Sequence, residues 1–358
     1  MKIAIDVSQV VYGTGVSVYT KELVKNLLKI DKKNQYFLFG GALRQIPTLK
    51  EYLGGLSGNF SSKVYPLPPT LADILWNRLH VLPIEKLIGE VDIFHSSDWA
   101  QPPSEAFKVT TVHDLTPLRF PKLTHPTIYK AHKARLRWAK EEVDRVIVPS
   151  DATKEDLLSY GFNEAKVRVI PEAPSEIFYP RRMEEIKKLR AKYKIFGPFV
   201  ISVGVGPRKN TQKVIKAFHL AAEKNLKLVL LGRPREKIED ERGLRIFGQV
   251  APDELAVFYS AAEALVYPSL YEGFGLPILE AFACGTPVVT SNLSSMAEVA
   301  GKAAVLVDPH EVESIVEGIK KALRGKVGLS RKGIARVSRF SWEKTAKMTL
   351  EVYSEAKK

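Results

Sequence analysis

The chain has 358 residues and a formal net charge of +14 at pH 7, with 45% hydrophobic and 26% charged residues. That composition buries full cores and excludes disordered and fibrous classes, and the length suits two domains of about 100 to 200 residues each. The longest apolar runs are too short to cross a bilayer, and the single cysteine, Cys284, can form neither an internal disulfide nor a cysteine-based zinc site.

The first residues, Met1 to Asp6, read as a strand rather than a signal peptide, so a cytoplasmic location is expected. Further strand patterns, each followed by a helical one, run from Gln35 to Phe39, Val91 to His95, Lys108 to His113 and Arg145 to Val148. This alternation predicts a parallel sheet. Gly13-Thr14-Gly15 follows the first strand and precedes a helix over Tyr19 to Leu28; a lone glycine pair is a weak signal. His113 and His95 end neighbouring strands, and strand-end histidines are structural more often than catalytic. His80, His125, His132, His219 and His310 are expected at the surface.

Pro171 to Lys194 carries prolines at 171, 174 and 180 and then a charged helical stretch, which suits an interdomain linker. A second strand series follows: Phe199 to Val203, Lys227 to Leu231, Leu244 to Phe247, Ala264 to Tyr267, Pro287 to Thr290 and Ala304 to Val307. Trp342, Ala346, Leu350 and Tyr353 recur at helical spacing in a terminal helix. The expected organisation is one domain over 1–180, a second over 181–339, and a helix over 340–358 packing back toward the first. Cys284 is expected as a small core residue on a short helix.

Most of the positive excess sits in three stretches, 119–140, 181–194 and 320–339. Nothing like an RNA-binding signature interleaves them, so no nucleic-acid partner is expected. An anionic membrane surface, a phosphate-bearing acceptor and simple solvation all fit. Tyr129, Leu136 and Trp138 accompany the first stretch and favour peripheral membrane contact there.

The most informative segment runs from Ser269 to Pro287, after a strand and into a helix. Gly273 and Gly275 permit a tight turn, Pro277 fits the first helical turn, and Gly285 ends the helix. The backbone amides of such a helix start attract a diphosphate. Glu280 lies about one turn inside, so Glu272 and Glu280 can face one ligand, and carboxylates accept hydrogen bonds from vicinal sugar hydroxyls. Ser295-x-x-Glu298 reads as a capping box.

This segment resembles the Glu-x7-Glu motif of the retaining family-4 glycosyltransferases. The resemblance extends through Gly13-Thr14-Gly15-Val16, His113-Asp114-Leu115, Pro207-Arg208-Lys209-Asn210, Glu298-Val299-Ala300-Gly301 and Phe340-Ser341-Trp342-Glu343, nearly the whole chain. It implies an α/β fold of the GT-B type, two doubly wound Rossmann-like domains facing a cleft. It also implies that Glu280 binds the ribose, that Glu272 sits against the transferred sugar, and that His113 contacts that sugar beside the reacting carbon. Gly15 would let its loop approach the donor, which Gly273, Phe274, Gly275 and Leu276 would line. Ser17 and Ala297 stand where the family often has glycine and proline.

A diphosphate needs positive charge, yet residues 246–301 contain no Lys or Arg. The resemblance assigns that task to Arg208 and Lys209, after the Gly204/Gly206 turn; Arg233 and Arg235, after Gly232, are weaker phosphate candidates that read equally well as a solvated loop. No Asp-x-Asp ends a strand, and Glu239-Asp240-Glu241 falls in a loop, so neither metal nor cofactor is expected. The expected partners are a nucleotide-sugar donor, GDP-mannose first and UDP-sugars next, and a saccharide or lipid-linked acceptor. The base would meet Phe247 to Val250. Rival expectations are a sugar-nucleotide epimerase or phosphorylase on the same fold, and a non-catalytic nucleotide-sugar-binding subunit.

Overall fold

The computed structural model describes residues 1–221, 225–234 and 242–357; Arg235 and the run Glu239-Asp240-Glu241 lie outside the described residues. The chain divides into two compact units, Met1–Glu172 with Trp342–Lys358, and Ala173–Ser341.

The first unit holds β1 (Lys2–Asp6), β2 (Gln35–Ala42), β3 (Phe60–Pro66), β4 (Ile93–Ser96), β5 (Phe107–Thr111), β6 (Arg145–Val148) and β7 (Val167–Val169). They pair in the order β3-β2-β1-β4-β5-β6-β7, with every ladder parallel. The central strands are apolar on both faces because helices cover both sides, as Ile3, Ala4, Ile93 and Phe94 at 0% exposure show. The second unit holds β8 (Phe199–Val203), β9 (Lys227–Leu231), β10 (Leu244–Phe247), β11 (Ala264–Tyr267), β12 (Val288–Ser291) and β13 (Val305–Val307), also parallel, in the order β10-β9-β8-β11-β12-β13. Each sheet reverses its direction of growth once, between β1 and β4 and between β8 and β11. In open α/β sheets, ligands bind outside the carboxyl ends of strands at such points.

The expected linker is mostly part of the second unit. Phe178 packs into its core with its ring 6.1 Å from Tyr259, and the helix Met183–Lys192 buries Ile186 and Leu189. Those two apolar residues, three apart among charges, suffice to seat the helix. The division therefore falls at 172/173 rather than at 180.

Four helices position the features discussed below: α1 (Gly15–Ile30), α2 (Pro126–Glu142), α3 (Leu276–Ala283) and α4 (Trp342–Ser354). The terminal helix α4 belongs with the first unit, its Trp342 ring 5.7 Å from Tyr19 and its Tyr353 hydroxyl 2.7 Å from His95 Nδ1. Among the described residues no helix is long and apolar enough to cross a membrane. The basic stretch on α2 is not the amphipathic surface its sequence suggested. Leu136 and Arg135 are fully buried, and Trp138 stacks on His80 at 3.7 Å and donates to the Asn77 carbonyl at 2.9 Å.

Candidate active site

In the second unit, β8 leads through Gly204 to Asn210 into the helix Thr211–Ala221. Gly204 has φ +79°, and a Cβ there would lie 2.9 Å from Lys209 Cε, so a glycine makes room for the lysine stem. Asn210 ties the turn down, donating to the Pro268 and Pro309 carbonyls at 3.2 and 2.6 Å. The neighbouring strand β11 leads into the second half of the site. There the Arg208 carbonyl accepts from Leu270 N at 2.9 Å and Ser269 Oγ at 3.0 Å, stitching the two loops together.

These contacts bring Arg208, Lys209 and Glu272 into one cluster. Glu272 Oε1 lies 2.8 Å from Arg208 and 2.6 Å from Lys209, and it accepts from Ser269 Oγ at 2.6 Å. Burial opposes its charge, but the two cations outweigh burial and hold the carboxyl at about 2. The Glu272 carbonyl is pinned by the hydroxyls of Ser294 at 3.0 Å and Ser295 at 2.8 Å. That overturns the capping-box expectation. The helix Ser294–Ala300 is preceded by Leu293, so Ser295 lies inside it and serves the Glu272 backbone instead.

Gly275 is the residue before α3, at φ +104°, where a side chain is strained. The α3 start at Leu276 therefore presents its first backbone N–H groups as a helix terminus does. Phe274 is a core residue, its ring 6.1 Å from Phe340, so any ligand contact there comes from its backbone. Gly273 completes the turn. Glu280, one turn into α3, accepts from the Tyr259 hydroxyl at 3.1 Å. Burial pushes its carboxyl up to about 7, against the Tyr259 hydrogen bond and the Lys209 charge. Cys284 is buried just beyond the last turn of α3.

In the first unit Gly15 is the first residue of α1, and Ser17 shapes the loop: it accepts from Thr14 N at 3.2 Å and donates to the Gln9 carbonyl at 2.6 Å. His113 lies two residues beyond β5, its ring edge-on to Tyr19 at 4.5 Å and its Nδ1 3.0 Å from Glu172 Oε1. Asp114 caps the turn that follows by accepting from Thr116 N at 2.7 Å. His95 is fully engaged, with Nε2 2.9 Å from Thr111 Oγ1, and burial, with His113 and Arg135 nearby, pulls it down to about 3. It is a neutral core histidine. Two histidines expected at the surface are not there: His132 is buried 3.7 Å from Asp98, and His80 is sandwiched against Trp138 with Nδ1 2.9 Å from the Trp76 carbonyl.

Sequence reasoning missed a pocket of about 340 Å³ at the carboxyl ends of β1 and β4. Asp6, Ser8 and Ser97 form part of its polar lining, while Tyr12 and Trp99, 42% and 40% exposed with rings 5.9 Å apart, form an aromatic shelf. One wall is a stretch of π-helix, Asp73–Arg78, a conformation that recurs at functional sites. The signal that could have found it was the reversal point between β1 and β4, which is a property of strand order in space and not of strand order along the chain.

Among known proteins, residues 13–173 match the family model "Glycosyltransferase Family 4" and residues 185–338 match "Glycosyl transferases group 1". The chain is 29% identical over 367 residues to the O-antigen chain mannosyltransferase B of Escherichia coli, covering 95% of this chain and 96% of that protein. It is 29% identical over 60% of its length to the MMP alpha-(1->4)-mannosyltransferase of Mycolicibacterium hassiacum, spanning 55% of that protein. Among solved structures, sucrose-phosphate synthase from Thermosynechococcus elongatus is similar with a TM-score of 0.74 at 20% identity, over 99% of this chain and 98% of that one. Anabaena HepE in complex with UDP and glucose is similar with a TM-score of 0.73 at 18% identity, over 99% of each chain. The pairing of a parallel-sheet unit with each of the two family models, in sequence order, leads to one assignment: the chain belongs to the group-1, family-4 glycosyltransferases of GT-B fold.

Proposed function

We propose that this glycosyltransferase moves a hexose, mannose from GDP-mannose first and the sugar of a UDP-sugar next, to a saccharide or lipid-linked acceptor with retention and without a metal. One observation carries it: two cations and two carboxylates converge at the β8/β11 reversal point beside a helix start. Glu280 takes the ribose hydroxyls, and Arg208 and Lys209 take the diphosphate. The C1–O bond to the diphosphate breaks as the acceptor oxygen bonds to C1 on the same face. The acceptor's proton passes to the leaving phosphate oxygen. Catalysis then consists of positioning and of stabilising the departing charge. Names of relatives favour mannose: O-antigen chain mannosyltransferase B acts in a mannosyl transfer by its name.

Calorimetric titration with nucleotide-diphosphate hexoses tests the donor half. An ionised Glu280 accepts ribose hydroxyls best, and its carboxyl sits at about 7. Donor affinity is therefore expected to rise with pH through that value. Glu280→Ala is expected to weaken binding by about tenfold or more and to flatten the dependence, as loss of a charge-assisted hydrogen bond does. Wild-type affinity in Glu280→Ala removes the assignment.

For the acceptor we propose the pocket of the first unit. An aromatic shelf fits the C–H face of a pyranose, and carboxylates and hydroxyls beside it fit its hydroxyls. A lipid-linked acceptor would also bring an anionic surface toward the exposed Lys130, Lys133 and Arg137 of α2. Trp99→Ala is expected to raise the acceptor KM about tenfold while leaving donor hydrolysis in the absence of acceptor unchanged. An unchanged acceptor KM places the acceptor elsewhere.

A further inference from the structure

Glu172 plays no part in any motif, yet it occupies a singular place. It lies three residues beyond β7, only 5% exposed, after Pro171, whose carbonyl accepts from Thr345 Oγ1 of α4 at 2.7 Å. The proline fixes its own φ and the hydrogen bond fixes the carbonyl, so the Glu172 backbone enters the core in one direction. Its Oε1 lies 3.0 Å from His113 Nδ1. The other ring nitrogen, Nε2, is buried and has no hydrogen-bond partner among the described residues. A buried imidazole nitrogen without a partner is costly, and proteins keep such groups where a ligand completes them.

We infer that Glu172 is a positioning residue for His113: by accepting from Nδ1–H it fixes the ring's tautomer and orientation, and so presents Nε2 to an oxygen of the nucleotide-sugar donor. The ring is held from two sides. Tyr19 of α1 packs edge-on at 4.5 Å, and the Tyr19 hydroxyl is itself 3.2 Å from Thr111 Oγ1. Glu172 closes the second side. Free rotation of the imidazole is thereby blocked without any contact to Nε2.

Charge follows from the same arrangement. Burial alone pulls His113 toward the neutral form, but the Glu172 hydrogen bond and charge, together with Asp98 and Asp114, outweigh it and the proton affinity rises. The other groups facing this cluster are His95, which stays neutral, Tyr19, which burial keeps protonated, and Arg135, which is paired with Asp98. With Nδ1–H committed to Glu172, a neutral ring could only accept at Nε2. A protonated ring donates there, and a donor is what a sugar oxygen or a leaving phosphate oxygen needs. Activity is therefore expected to fall as pH rises through the raised His113 midpoint. The ligand role rests on the hexosyl-transfer proposal above; the coupling of Glu172 to His113 does not.

The two are separated by reading His113 directly. Ring-15N histidine NMR of the ligand-free protein, with His113→Asn for assignment, gives its titration midpoint in wild type and in Glu172→Gln. The amide oxygen of glutamine can still accept from Nδ1–H but carries no charge. Proton binding at His113 is expected to weaken about tenfold or more in Glu172→Gln. The alkaline limb of kcat is expected to move to lower pH by the same factor, with the low-pH plateau retained. Glu172→Ala, which loses orientation as well, is expected to lower the plateau too. A purely structural role would change thermal stability and leave both midpoints where they are. Coincident NMR midpoints in wild type and Glu172→Gln overturn the coupling. A shifted NMR midpoint with an unmoved kcat limb overturns the presentation of Nε2 to the donor, while absence of transfer from every nucleotide hexose with a shifted midpoint overturns the functional proposal alone.

Discussion

Replacing Arg135 with methionine is expected to cost the protein about 3–5 kcal/mol of stability, the toll of leaving a buried charge without its partner. Arg135 is wholly buried. Its guanidinium donates to Asp98 Oδ1 at 3.2 Å, the Ser97 carbonyl at 3.2 Å, Thr110 Oγ1 at 2.7 Å and the Thr111 carbonyl at 3.0 Å, joining the ends of β4 and β5 beneath α2. Asp98 is buried too, yet Arg135 and His132 overcome that burial and hold its carboxyl below the ordinary value. A group with a depressed value in the folded state contributes stability above its unfolded value and loses it as pH falls through the folded one. In Arg135→Met burial remains while the largest of the opposing charges is gone and only His132 and His113 still act against it, so the Asp98 carboxyl rises relative to wild type and the variant's deficit is expected to shrink in acid rather than grow. Urea unfolding of the wild type, Arg135→Met, Asp98→Asn and the double variant checks this. The double variant should recover part of the loss, since a neutral amide is cheaper to bury than an unpaired carboxylate. Additive single effects would mean that the two side chains are not coupled.

Arg135 also shows where sequence reading stops. It stands in a stretch, 119–140, without acids, which with Leu136 and Trp138 reads from sequence alone as a basic amphipathic face. The spacing held another answer: His132, Arg135, Leu136 and Ala139 are the buried residues of α2, at i, i+3, i+4 and i+7, the stripe of a helix seated on a core. A cation in that stripe was the clue to a buried ion pair. The apolar strands were legible because parallel strands buried on both faces read as continuous Val, Ile and Leu runs. Two were not. β3 is an edge strand with Ser61, Ser62 and Lys63 exposed, and β7 has three residues, too few for a pattern. Their absence hid the length of the first sheet, and with β7 went Glu172, which meets His113 from 59 residues away. On the second unit the reading reached further, because Arg208, Lys209 and Glu272 lie in two loops, with Glu280 in the helix that follows the second, and the glycines and flanking strands of those loops are visible locally. What it lacked was their mutual pairing, a property of space and not of spacing.

That pairing sets the scale of the last prediction. Without donor, both cations are held by Glu272, at 2.8 Å for Arg208 and 2.6 Å for Lys209, and the Glu272 carboxyl stays ionised with its value at about 2. A bound diphosphate brings negative oxygens to the same cluster, and charge in a buried site must be matched or it destabilises the complex. As the C1–O bond breaks, charge grows on the leaving oxygen, so contacts from Arg208 and Lys209 strengthen in the transition state and act on kcat as well as on binding. Arg208→Ala or Lys209→Ala is expected to lower kcat/KM by about ten- to a hundred-fold, the 1.5–3 kcal/mol typical of one charge-assisted hydrogen bond. Arg208→Lys is expected to recover only part, because an ammonium cannot fork onto two phosphate oxygens. Excess EDTA is expected to change the rate little if, as proposed, these cations do the neutralising that a divalent ion does elsewhere. Assays of the purified protein with donor and acceptor, with and without EDTA, and NMR of the product anomer decide it. Activity lost to EDTA and restored by magnesium or manganese would overturn metal independence, wild-type rates in both alanine variants would remove the cations from the diphosphate, and an inverted anomer would overturn retention.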